Sequence, residues 1–446
     1  MRFTKSQGLT ESEMLLASLC EQSFFDLWTY PNLFKKPAKE LVDLMVVFRN
    51  DVLLFSDKSC AYPETGDPKL DWQRWYSRAI AKSAHQVHQA ERWLRSYPGC
   101  VFLDAKATQK LPLDLPAADV LNIHRICVTT GAADHCRRVT GQPMLGLNFT
   151  ITGNVAPLSV GTVPEAKGFL HVFDADALAL VMRELDTISD FVAYLNAKAD
   201  IVGLGLLKGA PTEADVLAYY LHNGRTFPNE GREFVLQPNL WRQVEAQAPF
   251  RDGRLLNQRH RLWDRLIERV TRLYLTGELQ FGNETTISDH ERLVRVMASE
   301  NRFYRRILSQ AIEDRARRAQ GGWIGSILPS EDPNVLYVLL MGPGAPRNEY
   351  DEYRSRRSQE LGLRCYAAKA ARPNAKIIVG IGLDAPGQQG SSEDLIYLDA
   401  SNWTDEEAQR AESIRKDLGY FVEGVMQEQL VDAEEYPGSS EGYQHQ

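Results

Sequence analysis

Asp43 stands in one apolar run, LVDLMVVF, and Ser56, Asp57 and Lys58 close the next, DVLLFSDKS, with a short polar turn between them. Acids and a lysine on neighbouring strands can hold a hard cation such as Mg2+ through oxygen ligands, and the lysine can neutralise charge that develops during a displacement at phosphorus. Strands suit that task, because adjacent chains lie only about 4.8 Å apart on a rigid base. The spacing leaves one question open. Ser56, two residues before Lys58, shares the lysine's face, whereas Asp57 in a regular strand points the other way. Either a bulge at 56–58 turns Asp57 into the site, or another carboxylate, Glu64, Asp71 or Glu91, fills the place.

The elements that must position these groups are legible around them. Thr10 and Glu13 form a capping-box pattern ahead of MLLASLCEQSFFDLW, which predicts a first helix ending near Tyr30-Pro31. Two strands follow at 41–48 and 51–58 with Arg49-Asn50, or Arg49-Asn50-Asp51, as a tight turn; their near-continuous apolar character predicts burial on both faces. Trp72, Trp75, Tyr76, Ala79, Ile80, Ser83, Val87, Ala90 and Trp93 or Leu94 recur at helical spacing, so 72–96 should be an amphipathic helix packed on the sheet. CVFLDA (100–105), NIHRICVTTG (122–131) and FLHVFD (169–174) read as further strands. Alternation of helix and strand over the first 200 residues is the pattern of one α/β domain.

Asp43, a short hairpin and SDK at 56–58, preceded by a helix carrying Glu21 and followed by one carrying Lys82, Gln86 and Gln89, resembles the PD-(D/E)xK, or restriction-endonuclease-like, nuclease superfamily. The resemblance covers the first 130–200 residues. It implies a mixed sheet flanked by helices, Asp43 and Asp57 as metal ligands, Glu21 as an extra ligand, Lys58 as the catalytic lysine, and Gln86 or Lys82 as contacts to substrate or water. It further implies Mg2+ or Mn2+ as cofactor, DNA ahead of RNA as substrate, and a prokaryotic genome-defence setting. The alternative is a non-catalytic nucleic-acid-binding or adapter protein that keeps a degraded nuclease fold, and Ser56 is the residue that favours it.

Other candidates carry less. His85 and His88 stand three apart on a helix and DHC (134–136) has ligand types, but no second pair completes a tetrahedral set. GPG (342–344) and VGIGL (379–383) lack the G-x-G-x-x-G or Lys-Ser/Thr context of a phosphate loop, so they read as turn and packing glycines. In the arginine-rich segments 251–274 and 301–319, one face is core and another either lies in solvent or meets phosphates.

The rest of the chain bounds these readings. Its 446 residues allow several domains, and a net charge of −8 argues against a protein coated in base for non-specific nucleic-acid binding. The six cysteines are scattered, which fits a reducing cytoplasm, and no apolar run is long enough for a membrane span. The expected organisation is α/β and multidomain: a nuclease-like domain over 1–200, a helical, arginine-rich middle region over 201–330, a small α/β domain over 331–426 and an acidic, disordered tail over 427–446. The C-terminal two-thirds is where a protein partner or a second copy of the chain would be expected to bind.

Overall fold

The computed structural model describes residues 3–387, 390–424 and 434–436. The chain divides into two compact units, one formed by Met1–Asp252 with Glu268–Glu291, the other by Gly253–Ile267 with Arg292–Pro437. Of the expected boundaries, residue 200 falls inside a helix and residue 330 just after a strand. The expected tail lies outside the described residues except for 434–436.

In the first unit Thr10 caps helix α1 (Glu11–Phe24), its side chain accepting from the Glu13 N–H. Strands β1 (Thr29–Lys36), β2 (Lys39–Phe48) and β3 (Asp51–Ser59) follow, with Arg49-Asn50 as the tight turn. Helix α2 (Pro68–Tyr76), a π-helical turn (Ser77–Ala81) and helix α3 (Lys82–Ser96) occupy the stretch expected as one helix, and β4 (Asn122–Thr130) returns to the sheet. After α4 (Ala133–Thr140), β5 (Gly146–Thr152) and β6 (Ser159–Thr162) comes β7 (His171–Asp174), then α5 (Ala175–Glu184), α6 (Ile188–Gly203), β8 (Leu207–Ala210), α7 (Glu213–His222), β9 (Phe234–Val235) and α8 (Leu240–Glu245).

The main sheet runs β1-β2-β3-β4-β7; the first three strands are antiparallel meanders, and β4 and β7 are parallel to β3. Helix α3 packs on β2, β3 and β4, while α1 packs on β1, β2 and β3. Ser56 meets Ser83 and Gln86 of α3, whereas the Ser12 hydroxyl of α1 acts on the carboxylate of its neighbour Asp57, so the two helices cover opposite faces. Double coverage explains why β2 and β3 are buried along most of their length. The strand expected at 100–105 is a correction: only Phe102 forms bridges, to Phe34 and Lys110, because the adjoining backbone turns through Asp104. A second sheet, β6-β5-β8-β9, draws two short strands from the region expected to be helical.

Asp174 ends β7 and caps α5, accepting from the N–H groups of Ala177 and Leu145. Burial lifts its carboxyl from the ordinary 3.8 to about 6, against the pull of those two donors. The folded protein therefore holds this proton more tightly than the unfolded chain, and the stability this contributes is complete below about pH 4 and lost as pH rises through about 6. Asp174→Asn keeps an acceptor for the cap but cannot ionise. Its stability relative to wild type should rise between pH 4 and 6 by on the order of 3 kcal/mol and then level off. Urea titrations from pH 4 to 8 measure this, and a gap that stays flat with pH would refute it.

Helices α9 (Ala248–Asn257), α10 (Arg261–Thr276) and α11 (Ile287–Ala298) run across the limits of the two units. The second unit continues with α12 (Arg302–Arg318), β10 (Ile324–Pro329), β11 (Val335–Gly342), α13 (Tyr350–Ala371), β12 (Ile377–Asp384), β13 (Asp394–Asp399) and α14 (Asp405–Asp417). Its sheet runs β10-β11-β12-β13, with β11 and β12 parallel and joined through α13. Thr404 opens α14 with a full capping box to Glu407. The glycine-rich segments have packing roles. A Cβ on Gly380 would lie 2.6 Å from Cys365 Sγ on α13, and one on Gly342 would lie 2.0 Å from the Tyr353 hydroxyl. Arg305, fully buried, is spent on Asp264 and on the carbonyls of Ala298 and Glu300. Among the described residues no helix is long and apolar enough to cross a membrane.

Candidate active site

The β2–β3 ladder stops at the pair Leu44–Phe55. Two residues further along β3, the Asp57 N–H donates not to a β2 carbonyl but to Asp43 Oδ2, at 2.7 Å. The Asp43 carboxylate thus enters the fork where the two strands part. Lys58 Nζ lies 3.0 Å from the same oxygen and also donates to the Asp57 carbonyl. From α3, Gln86 Nε2 donates to Asp43 Oδ1 at 2.6 Å. Ser56 lies among them, its hydroxyl 3.3 Å from Asp43 Oδ2, 3.0 Å from Gln86 Oε1 and 3.2 Å from the Ser83 hydroxyl.

Local structure explains each placement. Asp43, Ser56 and Lys58 share one face of the hairpin by the two-residue period of a strand. Ser83 and Gln86, three apart on α3, share the helix face that meets it. Asp43 and Ser56 are buried, while Lys58 keeps 27% of its side chain exposed and forms the solvent side of the cluster.

The strand pairing of β3 with β4 runs without a shift from Asp51–Asn122 to Ser59–Thr130, so no bulge turns Asp57 inward. Its carboxylate stays on the α1 face, as strand alternation requires. Burial raises its pKa, opposed by the Ser12 hydroxyl and reinforced by the Asp43 charge. The other candidate acids are engaged elsewhere: Glu64 with Arg138, Asp71 with Thr65, and Glu91 with Arg95 and Arg125. Glu21, expected from the family resemblance as an extra ligand, instead pairs with Lys5. The α1 glutamate whose charge acts on Asp57 is Glu13, eight residues or about 12 Å of helix earlier. Lys82 is exposed at the start of α3, one turn before Gln86, and makes no hydrogen bond or ion pair among the described residues.

Sequence reasoning did not single out Ser83, Glu40 or Asn32. Asn32 Nδ2 donates to both Glu13 and Glu40, holding two acids on the side of Asp57. Burial raises the Glu40 pKa, with Asn32 opposing and Asp43 adding to it. A visible signal for Glu13 was its capping role, which fixes it at the first turn of α1, where its carboxylate accepts from the Leu9 N–H.

No protein-family model, curated protein or solved structure matches the chain. The chemistry therefore has to be read from these groups themselves. The histidine candidates do not form a zinc site: His85 contacts Gln89, His135 stacks on Tyr62, and Cys136 is buried.

Among the described residues no three His, Cys, Asp or Glu side chains are grouped as a metal centre. The donors at the fork are all oxygen: the Asp43 carboxylate, the Gln86 amide and the Ser56 hydroxyl. Such a set suits a hard cation that retains most of its waters and needs as few as one protein carboxylate. Lys58 already holds Asp43 Oδ2, so a divalent cation would compete with its ammonium. The residues present fit one weakly held Mg2+ or Mn2+, with Asp43 as its anionic ligand.

Proposed function

We propose that the first unit is a phosphodiester-cleaving nuclease of the PD-(D/E)xK type, acting on DNA ahead of RNA. The observation that carries this reading is the convergence of Asp43, Lys58 and Gln86 on one fork between two strands, in a helix, three strands, helix, strand order. A Mg2+ or Mn2+ bound at Asp43 would supply Lewis acidity toward the phosphoryl oxygens and an acidified water. Lys58 places a positive charge at the open side of the site, where negative charge accumulates on the non-bridging oxygens in the transition state. Gln86 holds Asp43 Oδ1, while its own carbonyl oxygen accepts from the Ser56 hydroxyl. Ser56 fixes Gln86 from below and is itself in contact with Ser83, and the sheet keeps the whole set rigid.

The test is incubation of the full chain with supercoiled plasmid, linear duplex, single-stranded DNA and RNA, each with Mg2+, Mn2+ or EDTA, beside Asp43→Asn. Cleavage that needs metal and disappears in the variant supports the reading. Cleavage that persists in Asp43→Asn would place the chemistry elsewhere.

A second reading rests on Ser56. Its hydroxyl fills the position where a second carboxylate would stand, and a site with one acid can remain as a binding platform after catalysis is lost. In that reading the protein is a non-catalytic nucleic-acid-binding or adapter protein, and the same panel would show retention of nucleic acid without cleavage.

A further inference from the structure

At the start of α12, Arg302, Arg305 and Arg306 are all buried, and Arg305 is held by the carboxylate of Asp264 in the helical core. The other two face a short segment of the acidic C-terminal region, Glu434-Glu435-Tyr436. Arg306 spreads its guanidinium over the backbone of that segment, donating to the Glu434 carbonyl at 2.6 Å and the Glu435 carbonyl at 3.1 Å. It also donates to Asn257 Oδ1 at 3.0 Å, which fixes the plane of the fork. Arg302 donates to the Tyr436 hydroxyl at 3.1 Å and to a Glu435 carboxylate oxygen at 3.3 Å.

The tyrosine is seated as well as hydrogen-bonded, with 7% of its surface exposed. Gly253 makes the seat: a Cβ there would lie 2.4 Å from the Tyr436 ring and 2.7 Å from the Glu435 carbonyl. No side chain other than hydrogen is compatible with that approach. The cleft therefore reads three things at once. Two consecutive carbonyls set register, an acid sets charge, and a phenol sets the depth of the pocket. Main-chain contacts with pockets for alternate side chains are how domains recognise extended peptides.

We propose that the second unit carries a peptide-binding cleft specific for an acid-tyrosine segment, occupied in cis by Glu434–Tyr436. A tethered ligand competes at an effective concentration on the order of a millimolar, so the resident segment excludes a free peptide of the same chemistry unless that peptide binds far more tightly. The cleft is independent of the fork at Asp43, and the nuclease reading can fail without affecting it.

The experiment uses a fluorescein-labelled peptide with the sequence of residues 430–440, LVDAEEYPGSS. Anisotropy titrations compare the full chain with the full-length double variant Glu435→Ala/Tyr436→Ala, whose cleft lacks its resident side chains. The double variant should bind the peptide at least about tenfold more tightly than wild type. Adding Arg306→Lys, which keeps the charge but loses the two-pronged geometry, should remove that gain. Gly253→Val in the double variant should do the same, and an unchanged melting temperature in each shows that the fold survives. Equal affinity of wild type and double variant, or binding that survives both Arg306→Lys and Gly253→Val, would overturn the proposal.

Discussion

Asp43→Asn should lower metal-dependent cleavage by about 10³-fold, and Lys58→Ala by about 10²–10³-fold, the range seen when one preorganised charge is removed from a transition state. The two changes part company in stability. Lys58→Ala leaves a buried carboxylate facing only neutral donors, which should cost roughly 1–3 kcal/mol after allowing for the partial exposure of the lysine. Asp43→Asn instead leaves a cation that can swing to solvent, while its amide oxygen still accepts from the Asp57 N–H. A double variant, Asp43→Asn/Lys58→Met, removes both charges and should recover most of the stability lost in Lys58→Ala while staying inactive. Thermal melts alongside initial cleavage rates decide the matter. If the double variant regains activity together with stability, the pair is a structural lock and not the reacting centre.

The second large effect concerns Ser56. Ser56→Asp puts a second carboxylate on the Asp43 face, within the strand spacing that a shared cation needs. Without metal the two acids would repel across a fully buried position, and the melting temperature should fall. Mg2+ or Mn2+ should restore it, and the metal concentration giving half-maximal cleavage should drop by about tenfold or more, since a second anionic ligand is worth more than one factor-of-ten step. Ser56→Ala, which only removes a hydroxyl from the Asp43–Gln86–Ser83 network, should cost about 1 kcal/mol. A Ser56→Asp protein that is destabilised equally with and without divalent cations would favour the binding-platform reading.

The hairpin and its turn were legible in the sequence because two long apolar runs flank a two-residue polar break, a pattern with few other solutions. Asp43, Lys58 and Gln86 were legible for the same reason: strand and helix periods fix which side chains share a face. Asp57 was ambiguous only while a bulge was possible, and unbroken pairing with β4 removes that freedom. The β4 partner could not be read at that point, since its pairing is set by a segment more than sixty residues away in the chain. Glu21 was misplaced because the family pattern specifies a helix but not a turn of it, and the distance between Glu13 and Glu21 is two turns. The second sheet escaped notice because β9 has two residues and β6 and β8 four each, too short for a two-residue period to emerge. The docking of Glu434–Tyr436 has no local signal at all; it depends on Gly253 and on arginines whose partners only tertiary structure reveals.

The π-helical turn at Ser77–Ala81 separates two halves of what would otherwise be one continuous rod. Such turns amount to a residue inserted into an α-helix, and each residue of helix advances the side-chain direction by about 100°. Trp72 and Trp75 before the turn are buried, as are Ser83 and Val87 after it, so both halves present apolar or small residues inward despite that offset. The turn is therefore a phase adjustment between an anchor of aromatic rings and a working surface. The angular position of Gln86 over Asp43 is set there, by backbone winding several residues away, and not by the identity of the glutamine alone.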